Sequence, residues 1–106
     1  MSKVRVLLLS GCNQCHTLIT KLDALKIEYE PVDADIDVAL ADSIELLLNA
    51  VNYPFVTLEQ PPITTHLYRA NDSAEMGLQF IDHHTNKIGC ATVDGMLDQL
   101  LNLLKK

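Results

Sequence analysis

The stretch that decides the fold is residues 3–15, which reads KVRVLLLSGCNQC. Residues 3–9 form a short apolar run rich in strand formers, and a Ser-Gly pair ends it, as is typical of a strand buried on both faces. Cys12 and Cys15 follow directly after this turn. Apolar residues then recur at the three- and four-residue spacing of one helical face, which predicts a helix over residues 12–25. The stretch therefore predicts a central strand that places a CxxC pair at the start of a helix.

The rest of the chain continues the alternation of strands and helices. Hydrophobic periodicity predicts strands at residues 27–32 and 55–58, a helix at 38–50, a further strand or hairpin from 78–81 and 87–90, and a final helix at 92–106. A short helical connection between strands favours a parallel pair with a right-handed crossover. We therefore predict an α/β fold.

Residues 59–77 are the least regular part of the sequence. A Pro-Pro pair at 61–62 interrupts the periodicity, and Asn-Asp-Ser at 71–73 is typical of a turn. Residues 66–69 fit a short strand. We expect residues 59–77 to be an insertion after the third strand.

Composition limits the classes of protein that remain. The 106 residues fit one domain spanning residues 1–106, and 48% hydrophobic with 21% charged residues is typical of a folded chain. The formal net charge of −6 repels phosphate backbones and anionic lipid surfaces, so neither nucleic acid nor a membrane is an expected partner. Residues 6–9 are too short for the apolar region of a signal peptide, so we expect a cytoplasmic protein. In that reducing compartment, three cysteines do not form a structural disulfide framework.

The position of the CxxC pair predicts redox chemistry. The first backbone N–H groups of a helix lack intrahelical partners and carry partial positive charge, so they stabilise a thiolate at Cys12. Cys15 lies three residues on, near enough to attack a mixed disulfide at Cys12 and release the partner thiol. Because Cys15 also falls on the apolar stripe with Leu18 and Leu22, we expect it to be the more buried cysteine. Cys12 is therefore predicted to attack and Cys15 to resolve.

The chain resembles the glutaredoxins, a family with the thioredoxin fold. The resemblance is carried by the strand–loop–CxxC–helix opening and by three further segments, YEPVDAD at 29–35, YPFV at 53–56 and KIGC at 87–90. It covers nearly the whole chain apart from residues 59–77. It implies a thioredoxin-like three-layer α/β/α sandwich with a central four-stranded mixed sheet flanked by three helices. It also implies thiol–disulfide exchange as the activity.

The resemblance assigns roles to three residues outside the CxxC pair. Pro54 is expected to be cis and to lie beside the active-site sulfurs. The backbone of Tyr53 is expected to pair with a bound peptide or with glutathione. Thr92 can cap the last helix and leave backbone N–H groups free for an anion. Tyr53, Pro54 and Thr92 are therefore the predicted substrate-binding or glutathione-binding residues.

The sequence departs from the glutaredoxin pattern around the cysteines. Ser10 and Gly11 supply no positive charge ahead of Cys12, where the family usually has a basic residue. Asn13 and Gln14 replace the common Pro-Tyr pair, and together with His16 they are candidates for tuning the thiolate. Glutathione is the reductant that the resemblance implies, and a thioredoxin reductase is the alternative.

A different class of protein is suggested by residues 12–16, which read CNQCH. This is the attachment sequence for c-type haem, with His16 as an axial ligand and Met76 or Met96 as the sixth ligand. Haem attachment needs an export signal, and the strand before the cysteines fits the all-helical haem proteins poorly. We rank this interpretation below the redox interpretation.

Metal binding is a second alternative. Cys12 and Cys15, with Cys90 and either His83 or His84, offer soft ligands for zinc or for an iron–sulfur cluster shared between two chains. No second CxxC or HxxxH pair accompanies them. We expect no metal site and no bound cofactor.

A third alternative is a protein with the same fold but no catalytic activity. A non-catalytic interaction module would use the insertion at 59–77 to bind a partner. In the favoured interpretation, the protein is a monomer that acts on disulfide-containing protein substrates.

Overall fold

A computed structural model describes residues 2–105, which form a six-stranded mixed sheet and three helices. The strands are β1 (Lys3–Leu8), β2 (Glu30–Asp33), β3 (Phe55–Gln60), β4 (Ile63–Arg69), β5 (Gly77–Phe80) and β6 (Thr85–Cys90). The helices are α1 (Asn13–Ala24), α2 (Val38–Leu48) and α3 (Val93–Leu104). None of the helices in this part of the chain is long and apolar enough to cross a membrane. The predicted α/β class is confirmed.

The sheet has the strand order β2-β1-β3-β4-β6-β5. β1 pairs with β2 in parallel and β4 with β6 in parallel, whereas β1–β3, β3–β4 and β5–β6 are antiparallel. As a result β1, β2, β4 and β6 all end at one edge of the sheet, where β3 begins. We call this the carboxyl edge, and it positions the residues of the candidate site.

The prediction of four strands with an insertion at residues 59–77 is wrong. β4 lies inside that segment and is an inner strand of the sheet, paired with β3 on one side and β6 on the other. The cis Pro61–Pro62 pair forms the two-residue connection between β3 and β4, because Gln60 and Ile63 are register partners. Four consecutive residues of β4 are buried, so the strand lacks the polar–apolar alternation that identifies a half-exposed strand.

The other predicted helices and strands are confirmed, although their first and last residues differ. α1 begins at Asn13 with Cys12 as its N-cap, and β2 is shorter than the predicted 27–32. The sequence predicts either a strand or a hairpin over residues 78–81 and 87–90. The structure has the hairpin, formed by β5 and β6. Thr92 caps α3, because its hydroxyl accepts the Gly95 N–H at 3.0 Å.

The core consists of two clusters on opposite faces of the sheet. Successive strand residues point to opposite faces, so Val6 and Val56 join the cluster under α1 and α3. Leu7 and Phe55 join the cluster under α2. Helices therefore cover both faces of the sheet near the carboxyl edge.

Substitutions at Gly89 and Gly95 test how closely β6 packs against the backbone of Glu75. A Cβ atom at Gly89 would overlap the backbone carbonyl of Glu75, whereas a Cβ at Gly95 would only touch Thr92 Oγ1 at 3.4 Å. Gly89→Ala is expected to lower the free energy of unfolding by about 1–3 kcal/mol through overpacking. Gly95→Ala is expected to raise it by about 0.5–1 kcal/mol, because alanine favours the helix. Urea unfolding of both variants measures the difference, and effects of the same sign would contradict this packing.

His66 is a polar residue in the middle of the sheet. It is 5% exposed, and its Nδ1 lies 3.0 Å from the Thr57 hydroxyl on the neighbouring strand. Burial lowers the pKa of His66. The folded protein therefore disfavours the charged imidazole, and the unfolded chain binds more protons at acid pH.

This burial predicts a pH-dependent loss of stability. The contribution of neutral His66 is complete above the unfolded-state pKa of about 6.5 and is lost as the pH falls below it, by at most about 1.4 kcal/mol per pH unit. His66→Gln is expected to flatten this part of the dependence of unfolding free energy on pH. The exposed His83→Gln is the matched control and should keep the wild-type slope. Identical slopes for all three proteins would contradict the prediction.

Candidate active site

The site is built around the N-terminus of α1. β1 brings the chain to the carboxyl edge, and Gly11 turns it with a φ of +74°, a conformation that glycine adopts without a Cβ penalty. Cys12 follows as the N-cap, and its Sγ accepts the Cys15 N–H at 3.1 Å. An N-cap normally uses a side-chain oxygen for this contact. Here a sulfur receives one of the unpaired N–H groups of the helix, which favours negative charge on that sulfur.

Cys12 and Cys15 form a disulfide, with their Cα atoms 5.3 Å apart. Cys15 is 4% exposed and Cys12 is partly exposed, so the prediction that Cys15 is the more buried cysteine is confirmed. Cys15 packs in the cluster under α2, whereas Leu18 and Leu22 from the same helix pack in the other cluster. The first turn of α1 therefore lies at the boundary of the two cores, with one sulfur accessible and one enclosed.

Tyr53 lies against the disulfide, with its carbonyl oxygen 3.7 Å from Cys12 Sγ. The Tyr53–Pro54 peptide bond is cis, and Pro54 is buried. The structure therefore brings Tyr53 to the CxxC pair, and Pro54 is the next residue along the chain.

The side chain of Tyr53 contacts Glu45 and Phe55. Its hydroxyl donates to Glu45 Oε2 at 2.9 Å, and its ring packs edge-on against Phe55 with 4.8 Å between centroids. Burial, the hydrogen bond to Glu45 and the nearby carboxylates of Asp42 and Asp35 raise the pKa of Tyr53 to about 12. The backbone of Tyr53 faces the sulfur, and its phenol stays protonated and anchors the segment to α2.

Arg69 is a site residue that the sequence prediction missed. It is the last residue of β4, and its Nη1 donates to the Tyr53 carbonyl oxygen at 3.2 Å. That is the oxygen in contact with Cys12 Sγ. Arg69 therefore places a guanidinium group on the carbonyl oxygen that contacts Cys12 Sγ, in a position that depends on the unpredicted β3–β4 pairing.

A signal for Arg69 was present in the sequence. Residues 27–86 contain eleven Asp and Glu residues and a single Lys or Arg, which is Arg69. The local pattern around this isolated cation does not predict that it lies near the cysteines. The pairing of β4 with β3 moves it to the carboxyl edge.

Of the remaining predicted residues, three lie on the first turn of α1 and the fourth caps α3. Asn13, Gln14 and His16 are exposed on the first turn of α1. A groove of about 400 Å³ runs beside both cysteines, and His16 and Ile19 line it. The Thr92 hydroxyl is used in capping α3, and no hydrogen bond within residues 2–105 joins it to the CxxC pair.

The candidate metal ligands are dispersed. His83 and His84 are exposed in the β5–β6 turn, and Cys90 is buried. Within residues 2–105, no group of three or more His, Cys, Asp or Glu side chains is arranged to hold a metal ion. Of the two methionines considered as haem ligands, Met96 is fully buried in the core and Met76 is exposed.

No protein-family model matches the chain, and comparisons with curated proteins and with solved structures give no match. The chemistry of the site is therefore inferred from its geometry. Cys12 and Cys15 can exist as a dithiol or a disulfide, with the outer sulfur beside a helix N-terminus and a guanidinium group. Such an arrangement can exchange two electrons with another disulfide.

Alkylation tests whether Cys90 is less reactive than Cys12. It is 4% exposed, and burial raises the pKa of its thiol to about 11. At pH 8 roughly one molecule in a thousand would carry the reactive thiolate, so native Cys90 is expected to resist alkylation. Iodoacetamide labelling of the reduced protein, with mass spectrometry of the peptides, should show Cys12 modified and Cys90 unmodified until urea is added. Labelling of both at similar rates in the native protein would contradict this prediction.

Proposed function

We propose that this protein is a thiol–disulfide oxidoreductase of the glutaredoxin type, which reduces protein disulfides or glutathione mixed disulfides through Cys12 and Cys15. The observation that carries the proposal is the Cys12–Cys15 disulfide at the N-cap of α1, with the Tyr53 carbonyl oxygen 3.7 Å from Cys12 Sγ. The partly exposed sulfur of Cys12 is open to a substrate, and Cys15 is held directly beneath it.

The reaction proceeds by two exchanges. The Cys12 thiolate attacks one sulfur of the substrate disulfide, a Cys12–substrate disulfide forms, and the other substrate sulfur leaves as a thiolate that takes up a proton. Cys15 then loses its proton and attacks Cys12 Sγ, which releases the second substrate thiol and forms the Cys12–Cys15 disulfide. Two electrons and two protons pass from the protein dithiol to the substrate.

We assign the fold to the thioredoxin type. Strands β2, β1, β3 and β4 make up a four-stranded mixed sheet of the kind that the glutaredoxin resemblance implies, and β6 and β5 extend it. Under this assignment β4, and not the later strand β6, is the fourth strand. The hairpin of β5 and β6 is then the addition to the fold.

The partners follow from the same site. Disulfide-containing proteins are the proposed substrates, and the groove beside Cys12 offers them room. Either glutathione or a thioredoxin reductase would regenerate the dithiol. We propose that the protein acts as a monomer in the cytoplasm, where such reductants maintain thiols.

Cysteine variants test the assignment of roles. Cys12→Ser is expected to abolish disulfide reduction, because the attacking sulfur is removed. Cys15→Ser is expected to accumulate a mixed disulfide at Cys12, because no thiol remains to release the bound substrate thiol. Equilibration in mixtures of reduced and oxidised glutathione, followed by alkylation and mass spectrometry, identifies the sulfur that carries each adduct.

Cys90→Ser is the matched control, and it should keep wild-type turnover. Loss of activity in Cys15→Ser without any trapped adduct would contradict the assigned roles. Cysteines that stay unreactive, or a purified protein that carries zinc, a cluster or haem at the CxxC pair, would overturn the proposed function.

A further inference from the structure

We propose that Arg69 makes Cys12 react preferentially with anionic partners, so that disulfides flanked by carboxylates are the preferred substrates of this site. The inference rests on the proposed function and deepens it by naming a substrate class. It is carried by the shared contact of Arg69 and Cys12 with one backbone oxygen.

The Tyr53 carbonyl oxygen lies between the cation and the sulfur. Arg69 Nη1 lies 3.2 Å from the Tyr53 carbonyl oxygen, and Cys12 Sγ lies 3.7 Å from it. A thiolate placed beside the lone pairs of a carbonyl oxygen is repelled by them. The guanidinium group offsets this repulsion because it draws the same oxygen into a charge-assisted hydrogen bond. Arg69 therefore favours the reactive, charged form of Cys12.

Arg69 has no carboxylate partner among the residues that the structure describes. Within residues 2–105, no Asp or Glu lies at ion-pair distance from Arg69, whereas Lys3, Arg5 and Lys21 each have such a partner. A guanidinium has five N–H donors in a planar fork that matches a carboxylate. The single hydrogen bond to Tyr53 leaves donors for a substrate carboxylate.

Side chains of both charges surround the cysteines. The Asp35 carboxylate accepts the Ser10 N–H on the opposite side of the turn, and Glu45 holds the Tyr53 hydroxyl. Carboxylates thus stand on the α2 side of the site. On the β4 side Arg69 precedes a loop in which the Glu75 carboxylate accepts the Asn71 N–H at 3.1 Å, so Arg69 is the local cation between two groups of carboxylates. A substrate carboxylate is therefore expected to bind at Arg69 itself.

A set of small disulfides of similar size tests the proposal. The reduced protein is mixed with dithiodipropionate, hydroxyethyl disulfide or cystamine, which are anionic, neutral and cationic, and the first exchange at Cys12 is timed. The ratio of the anionic to the cationic rate is expected to be higher for the wild type than for a small free thiol, which corrects for the different leaving-group thiols. Arg69→Gln, which retains an amide donor for Tyr53, is expected to lower this rate ratio by about tenfold, the effect of one nearby charge.

Two further variants separate charge from structure. Arg69→Lys keeps the positive charge and should keep most of the preference. Lys105→Gln removes the same charge at the end of α3, where Gln60 at the end of β3 donates to the Leu103 carbonyl oxygen, and should leave the ratio unchanged. A general loss of packing would slow all three disulfides alike and would not change the ratio.

An alkylation experiment distinguishes failure of this proposal from failure of the proposed function. The rates of iodoacetate and iodoacetamide at reduced Cys12 compare an anionic with a neutral reagent, and no oxidoreductase activity is needed. Wild-type protein that reduces no disulfide would overturn the function, while the iodoacetate preference would still support the charge effect of Arg69. An Arg69→Gln protein with wild-type ratios in both assays would overturn the proposal and leave the oxidoreductase function intact.

Salt provides a second test of the charge effect. Raising the ionic strength from about 0.01 M to about 1 M shortens the screening length from roughly 30 Å to roughly 3 Å. The net charge of −6 repels anions from wild type and variant alike, so the quantity compared is the difference in rate ratio between wild type and Arg69→Gln. This difference is expected to shrink severalfold, and a difference that is independent of salt would overturn the proposal.

Discussion

The hydrogen bond from the Cys15 N–H to Cys12 Sγ is the interaction on which the site depends. It makes the sulfur part of the helix terminus, so the reactive atom is held by the backbone of α1 and not by a flexible side chain alone. The bond requires β1 to end, and α1 to begin, within a single tight turn, and Gly11 makes that turn possible. Strand, turn and helix N-terminus therefore act as one unit.

The antiparallel pairing of β3 with its neighbours supplies the second half of the site. Because β3 runs opposite to β1 and β4, its first residues meet the last residues of those strands at the carboxyl edge. Tyr53 thereby lies between Cys12 and Arg69, which are distant in sequence. A single backbone oxygen connects the cysteine to the cation, and this oxygen is fixed by the anchoring of the Tyr53 phenol to Glu45.

Much of the fold was predictable from local signals. The strand and helix around Cys12, the N-cap at Thr92 and the greater burial of Cys15 depend on periodicity and capping within a few residues, and these predictions are confirmed. Residues 66–69 fit a short strand and lie within β4, but the place of β4 as an inner strand was not predictable in this way. A strand covered on both faces need not alternate, and a proline pair serves equally as a turn or as an interruption. Arg69 was missed for the same reason, since its contact with Tyr53 exists only once β3 and β4 are paired.

The burial of Cys90 has a consequence for the return of the protein to its oxidised state. Three thiols in one chain allow three different disulfide isomers, and exchange among them is a common source of scrambled products. Cys90 is packed beneath α3, and its proton is held tightly by its surroundings, so it does not compete for either partner. When the reduced chain is oxidised, Cys12 and Cys15 are therefore the pair that is available, and the same covalent form results.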